Sequence, residues 1–197
     1  MIHKLSLYLT KILYLYQPSM NYREKQLYLY AFESLISQTL TYSILLVIGL
    51  VAHTILPLIT YLLFFILLRG QTSGFHASSQ LACSFISIFV TSVLVYLSNI
   101  ITQKGILLIF PLLIISIKYI FLNAPINHKN LNLTAYEINC MTYKARRILI
   151  AETIIVSIFC LFEKTFLLFK SGSFAIITVA VSMVLSKILK QEVVNNV

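Results

Sequence analysis

A histidine and a cysteine seven residues apart, His76 and Cys83, are the side chains in this sequence best suited to do chemistry. A thiolate is a strong nucleophile, and an imidazole accepts a thiol proton near neutral pH. Both residues belong to a polar island, positions 69–83, that interrupts an otherwise apolar chain. Uncompensated polar groups are costly in lipid, so such a cluster at the edge of an apolar run points to function. If Cys83 opens a helix, the helix N-terminus adds a favourable partial positive charge.

The spacing constrains the geometry. On one continuous helix, seven residues place both side chains on one face but about 10.5 Å apart along the axis. Neither side chain spans that gap. Contact requires His76 to lie outside the helix, on a loop that folds back. Gly70 and Gly74 give such a loop its freedom, and Thr72 and Ser73 suit a turn or cap. The helix carrying Cys83 is therefore expected to start after position 76, or to break between the two residues. The chain has no aspartate; all six of its acids are Glu. A third group orienting the imidazole would be Gln, Asn, Ser, Glu or a backbone carbonyl, and a dyad is the more economical reading. Composition alone leaves a bland alternative open, because a lone membrane-helix Cys is usually a small apolar filler. Cys140 and Cys160 have no histidine placed like His76 and read as structural thiols. Three cysteines, without a CxxC pair or metal-ligand spacing, suggest no disulfide framework, no metal and no cofactor.

The elements that must position the pair are membrane helices. Of 197 residues, 59% are hydrophobic and only 11% charged, against roughly a quarter charged in soluble domains. The fold class is an all-α polytopic membrane protein, a single domain over 1–197. Residues 1–30 read as an interfacial segment, with Leu5, Leu9, Ile12, Leu13 and Tyr16 at helical spacing and a second short helix from about Tyr22. Six spans follow, at about 34–51, 54–68, 79–98, 106–122, 148–169 and 174–189. Gly49, His53 and Pro57 mark the first turn between spans, and Gly172 with Ser173 the last. Glu163-Lys164 either closes span five or sits at the interface before Phe169. Residues 123–147 read as a basic loop.

The net charge of +9 is carried by residues flanking the spans, so anionic lipid headgroups, and not nucleic acid, are the expected partner. With six spans, Lys104, Lys164 and Lys170 fall on one side and the other twelve Lys and Arg on the opposite side. The positive-inside rule then puts both termini, the island and the basic loop in the cytoplasm.

Arg69, then Ser73-Gly74-Phe75-His76-Ala77, then Cys83 resembles the signature of the accessory gene regulator B (AgrB) family. Two weaker echoes accompany it: Tyr30-Ala31-Phe32-Glu33, with Ala31 where the family commonly has Gly, and Ala124-Pro125. The resemblance implies a bacterial plasma-membrane cysteine endopeptidase. It cuts the acidic C-terminal tail from a small amphipathic propeptide and helps close the remainder into a thiolactone or lactone quorum-sensing signal. It implies Cys83 as nucleophile and His76 as general base. Arg69, Gly74, Gln71 and Glu33 become site-shaping or substrate-binding candidates. Lys129, Lys144, Arg146 and Arg147 become candidates for holding the acidic tail, with lipid anchoring as their plainer role. A homodimer is compatible with the sequence, and nothing in it requires one. Rival readings are a small transporter or channel, and a membrane scaffold. Glu152 is the one candidate for a transporter's midplane charge, and its expected partners are Arg146 and Arg147 at the interface.

Overall fold

The computed structural model describes residues 2–16, 21–75, 77, 79–102, 105–127 and 134–191. His76, Ser78 and Lys129 therefore lie outside the described residues. Within them the secondary structure is helical, with no strand. The helices are α1 (Ile2–Tyr16), α2 (Tyr22–Val51), α3 (Ile55–Thr72), α4 (Gln80–Ile100), α5 (Ile106–Asn123), α6 (Ala135–Leu161) and α7 (Phe166–Ile188). Four stretches are long and apolar enough to cross a membrane: Glu24–Val51, Ile55–Thr72, Gln80–Ile100 and Glu163–Ile188. Leu107–Asn123 is a shorter apolar helix.

Local chemistry fixes the helix starts. Asn21 and Glu24 form a reciprocal capping box at the head of α2, and Thr134 and Glu137 form another at the head of α6. The Thr134 backbone N–H and hydroxyl both donate to the Glu137 carboxylate and hold its pKa below the ordinary carboxylate value. α2 is one helix of 30 residues, about 45 Å long, so the short lead-in helix expected before span one is continuous with it. The second capping box likewise converts part of the expected 123–147 loop into helix. Lys144, Arg146 and Arg147 stand on α6.

The expected boundary between spans five and six also moves. The chain turns at Glu163–Thr165, and Gly172 and Ser173 sit inside α7. Their smallness serves packing. A Cβ on Gly172 would lie 2.9 Å from a Val156 methyl of α6 and 3.4 Å from the Phe64 ring of α3. Small residues let membrane helices close on one another. α7 is accordingly the centre of the bundle, with Phe169, Ile176, Val179 and Met183 almost wholly buried. Much of the remaining large apolar surface faces outward, including Leu107, Leu108, Phe85 and Phe89. α1 turns its hydroxyl face inward. Ser6 and Thr10 are buried, their hydroxyls donating to carbonyls of their own helix, while Leu5, Tyr8, Leu15 and Tyr16 are exposed.

Hydrogen bonds tie one end of the bundle together. The Ile126 N–H donates to the Thr72 carbonyl at the end of α3, 3.0 Å away. Lys187 on α7 donates to the side chain of Asn123 on α5, 2.7 Å away. At the opposite end, buried Lys170 donates to the Ile101 carbonyl that closes α4 (3.1 Å).

Candidate active site

Cys83 lies in the first turn of α4. Ser79 caps the helix, its hydroxyl accepting from the Ala82 N–H and its carbonyl from the Cys83 N–H. α3 ends at Thr72 and α4 begins at Gln80, so the helix carrying Cys83 starts after position 76. Residues 73–75, which follow α3, are held by their neighbours. The Arg69 guanidinium donates to the carbonyls of Ser73 and Phe75, the latter at 2.7 Å. The Phe75 N–H donates to the carbonyl of Ser182 on α7 at 3.0 Å and also meets its hydroxyl. Gly74 adopts a φ of +141°, and a Cβ there would overlap the guanidinium and lie 2.8 Å from the Ser182 hydroxyl. Only glycine fits that backbone and that space together.

Cys83 borders a cavity of about 230 Å³ between α2, α3 and α4. Hydroxyls and amides stand on two of its otherwise apolar walls: Ser34, Ser37, Gln38 and Thr41 on α2 face Ser84, Ser87 and Thr91 on α4. Leu62 and Phe65 of α3 close it on the apolar side. Ser37 and Ser84 hydrogen-bond across the slot at 3.0 Å. Tyr42 is another wall residue. These hydroxyls were legible as a polar stripe at positions 34, 37, 38 and 41 and another at 84, 87 and 91, the spacing of one helix face. The length of the apolar run hides them.

A thiol at a helix head, a glycine turn clamped by an arginine and a slot carrying hydroxyls lie together between α2, α3 and α4. The model of the accessory gene regulator B family matches residues 3–186. The chain belongs to the AgrB family. No curated protein and no solved structure matches it. AgrB membership associates the chain with quorum-sensing peptide processing, in a family described as peptidase-like.

The remaining candidates of this AgrB-family chain spread away from Cys83. Gln71 is half-buried in the last turn of α3 and is not a slot residue. Glu33 accepts from His3 of α1 at 2.5 Å, which places it on the α1–α2 contact. Arg146 donates to the Phe121 carbonyl at 3.2 Å and stacks over the Phe121 ring, and Arg147 lies over Tyr143. Lys144 is exposed. Glu152 does not pair with Arg146 or Arg147. It is buried on the inward stripe Ala145, Leu149, Glu152, Val156, and its carboxylate has no partner among the described residues. The helical phase explains this: positions 145, 149, 152 and 156 face inward, whereas 147 faces out. Cys140 and Cys160 are free thiols on α6, away from the slot, and Cys160 packs on the apolar core.

Proposed function

We propose that this AgrB-family chain is a membrane-embedded cysteine endopeptidase. It releases the C-terminal tail of a small amphipathic propeptide and promotes cyclisation of what remains to a thiolactone or lactone. The Cys83 thiolate attacks the scissile carbonyl carbon, and the C–S bond forms as the carbonyl electron pair moves to oxygen. Collapse expels the tail amine, which takes its proton from the His76 imidazolium, and leaves a thioester on Cys83. A thiol or hydroxyl of the peptide then displaces the sulfur, so ring closure needs no ATP. The observation that supports this most is the placement of Cys83 in the first turn of α4, on the wall of a polar slot. The slot's hydroxyls offer partners to an unfolded peptide backbone, which finds none in lipid. The test is to trap the thioester. Protein quenched during turnover should carry the peptide minus its tail on Cys83, released by hydroxylamine. Cleavage with the adduct elsewhere, or with none, refutes the mechanism.

In this reading the chain crosses the bacterial plasma membrane six times, with α1 at the interface and both termini and Cys83 on the cytoplasmic side. The supporting feature is the excess of Lys and Arg assigned to that side. A membrane-impermeant thiol reagent should leave Cys83 unmodified in intact cells and modify it after permeabilisation. Ready labelling from outside overturns the orientation.

Arg146 and Arg147 on α6, with Lys144 and Lys129, attract the acidic tail. Neutralising Lys144, Arg146 and Arg147 together should raise KM for an acidic-tailed propeptide about tenfold at low salt, with a smaller effect at high salt. Unchanged kinetics leave these residues as lipid anchors. A homodimer is compatible with this reading, and cross-linking in native membranes tests it.

A further inference from the structure

We infer that the arm of the slot beyond Cys83 is a specificity pocket, which takes one large apolar side chain: that of the propeptide residue whose carbonyl Cys83 attacks. The inference rests on the peptidase reading. It adds which side of the cut bond the slot holds and what residue type it selects.

The slot has a direction. α2, α3 and α4 follow one another through short connections, so neighbours run antiparallel and α2 runs parallel to α4. The Ser37–Ser84 hydrogen bond sets the register between those two. Tyr30, seven residues before Ser37, is then level with Ala77, seven before Ser84. At the other end Leu45 is level with Thr91 in the same way. α3 agrees. A Cβ on Gly49 would meet the Leu58 side chain, and one turn along from that contact Leu45 stands level with Leu62. Tyr30, Ala77 and Ser79 therefore line one end of the cavity, and Leu45, Leu62 and Thr91 the other. Cys83 lies between them, with Thr91 about 12 Å farther along α4.

One end is open and the other is blind. Tyr30 is 52% exposed, whereas Thr41, Leu45, Leu62 and Thr91 are 5%, 1%, 7% and 4% exposed. No Lys, Arg or Glu lines the cavity among the described residues.

A blind arm decides how the substrate lies. The tail departs as an amine while the acyl part is still bonded to Cys83. A tail lying in the arm would be shut in behind the thioester, so the tail occupies the open end. Carboxylates would also be costly to bury in a pocket without a cation. The acyl side therefore faces the arm. Most of it must stay outside, because its own thiol or hydroxyl has to return to the thioester. Size points the same way. The whole slot holds about 230 Å³, less than the roughly 300–1,000 Å³ of pockets that enclose a drug-sized ligand. A single side chain fits the arm, and a folded-back peptide does not. Leu45, Leu62 and Phe65 give that side chain apolar walls. Ser87 stands one turn past Cys83 on the same face of α4, so its small size keeps the arm open.

The test uses the full chain in vesicles and four propeptides, with Phe, Leu, Ala or Asp before the scissile bond. Wild-type kcat/KM should favour Phe and Leu over Ala on the order of 10²-fold, with Asp lowest. Equal values across the series overturn the inference. Ser87→Leu plugs the arm and should bring the Phe-to-Ala ratio down to about one. A ratio within about threefold of the wild-type ratio, at whatever absolute rate, overturns it. Thr91→Leu fills the arm from its floor and should lower the same ratio at least about tenfold, which decides the matter if Ser87→Leu cuts no propeptide. Cys83→Ala, run alongside, separates the two proposals. If Cys83→Ala still cuts, the peptidase reading and the pocket fall together. If it is inert while the wild type cuts all four propeptides alike, only the pocket falls.

Discussion

Cys83→Ala is expected to abolish tail cleavage, with a loss on the order of 10⁴-fold or more, while Cys140→Ala and Cys160→Ala cut at the wild-type rate. Removing a nucleophile removes the covalent route altogether, so its effect exceeds that of losing a helper group. The three thiols differ in surroundings. Cys83 opens α4 on the wall of the slot. Cys140 and Cys160 stand on α6, away from the slot, and Cys160 packs on apolar neighbours. Deleting a single sulfur from a partly buried site costs little stability, so all three variants should reach the membrane at similar levels. His76→Ala should join Cys83→Ala in inactivity, since nothing else in the proposed cycle accepts the thiol proton. Co-expression with the propeptide, read as its size on a gel, decides the matter. A Cys83→Ala variant that still cuts rules the mechanism out.

The second large effect concerns two glycines of the same island that behave oppositely. Gly74→Ala should cut cleavage by about 10²-fold or more, because the added methyl drives the Arg69 guanidinium off the turn and strains a left-handed backbone. Once Arg69 moves, the Ser73 and Phe75 carbonyls lose their donor. Phe75 then loses its register against Ser182. Gly70→Ala should leave cleavage within about twofold of wild type. A Cβ at position 70, in the last turn of α3, meets nothing within 4 Å. Alanine there stabilises the helix by up to about 1 kcal/mol. Propeptide cleavage and thermal unfolding in detergent, measured on both variants, check the pair. An active Gly74→Ala would show that the clamp on this turn does not matter to the chemistry.

The same contrast shows what was legible in the sequence. The polar island, its Arg-x₄-Gly-x-His-x₆-Cys spacing and the need for a helix start after position 76 could all be read from residue order. They depend on local chemistry, namely glycine freedom, capping by Ser79 and the rise of a helix. The two capping boxes, Asn21 to Glu24 and Thr134 to Glu137, were equally present in the sequence. Around the second, Lys144, Arg146 and Arg147 make the region resemble a solvated loop.

By itself the sequence determined that the chain is all-helical, apolar enough for a membrane, and organised around Arg69, Gly74 and Cys83, because composition, periodicity and turn chemistry act over a few residues. The tertiary structure alone decided that Gly172 and Ser173 are a packing face and not a turn. It alone decided that Glu152 is buried without Arg146 or Arg147, and that Glu33 belongs to His3. It also decided that hydroxyls of α2 and α4, some 47 residues apart in the chain, close one slot around Cys83. Those outcomes depend on which helix faces which. In a bundle whose spans are all apolar, one hydrophobic stripe resembles another, and the partner of each face is settled by close packing between helices and not by residue order.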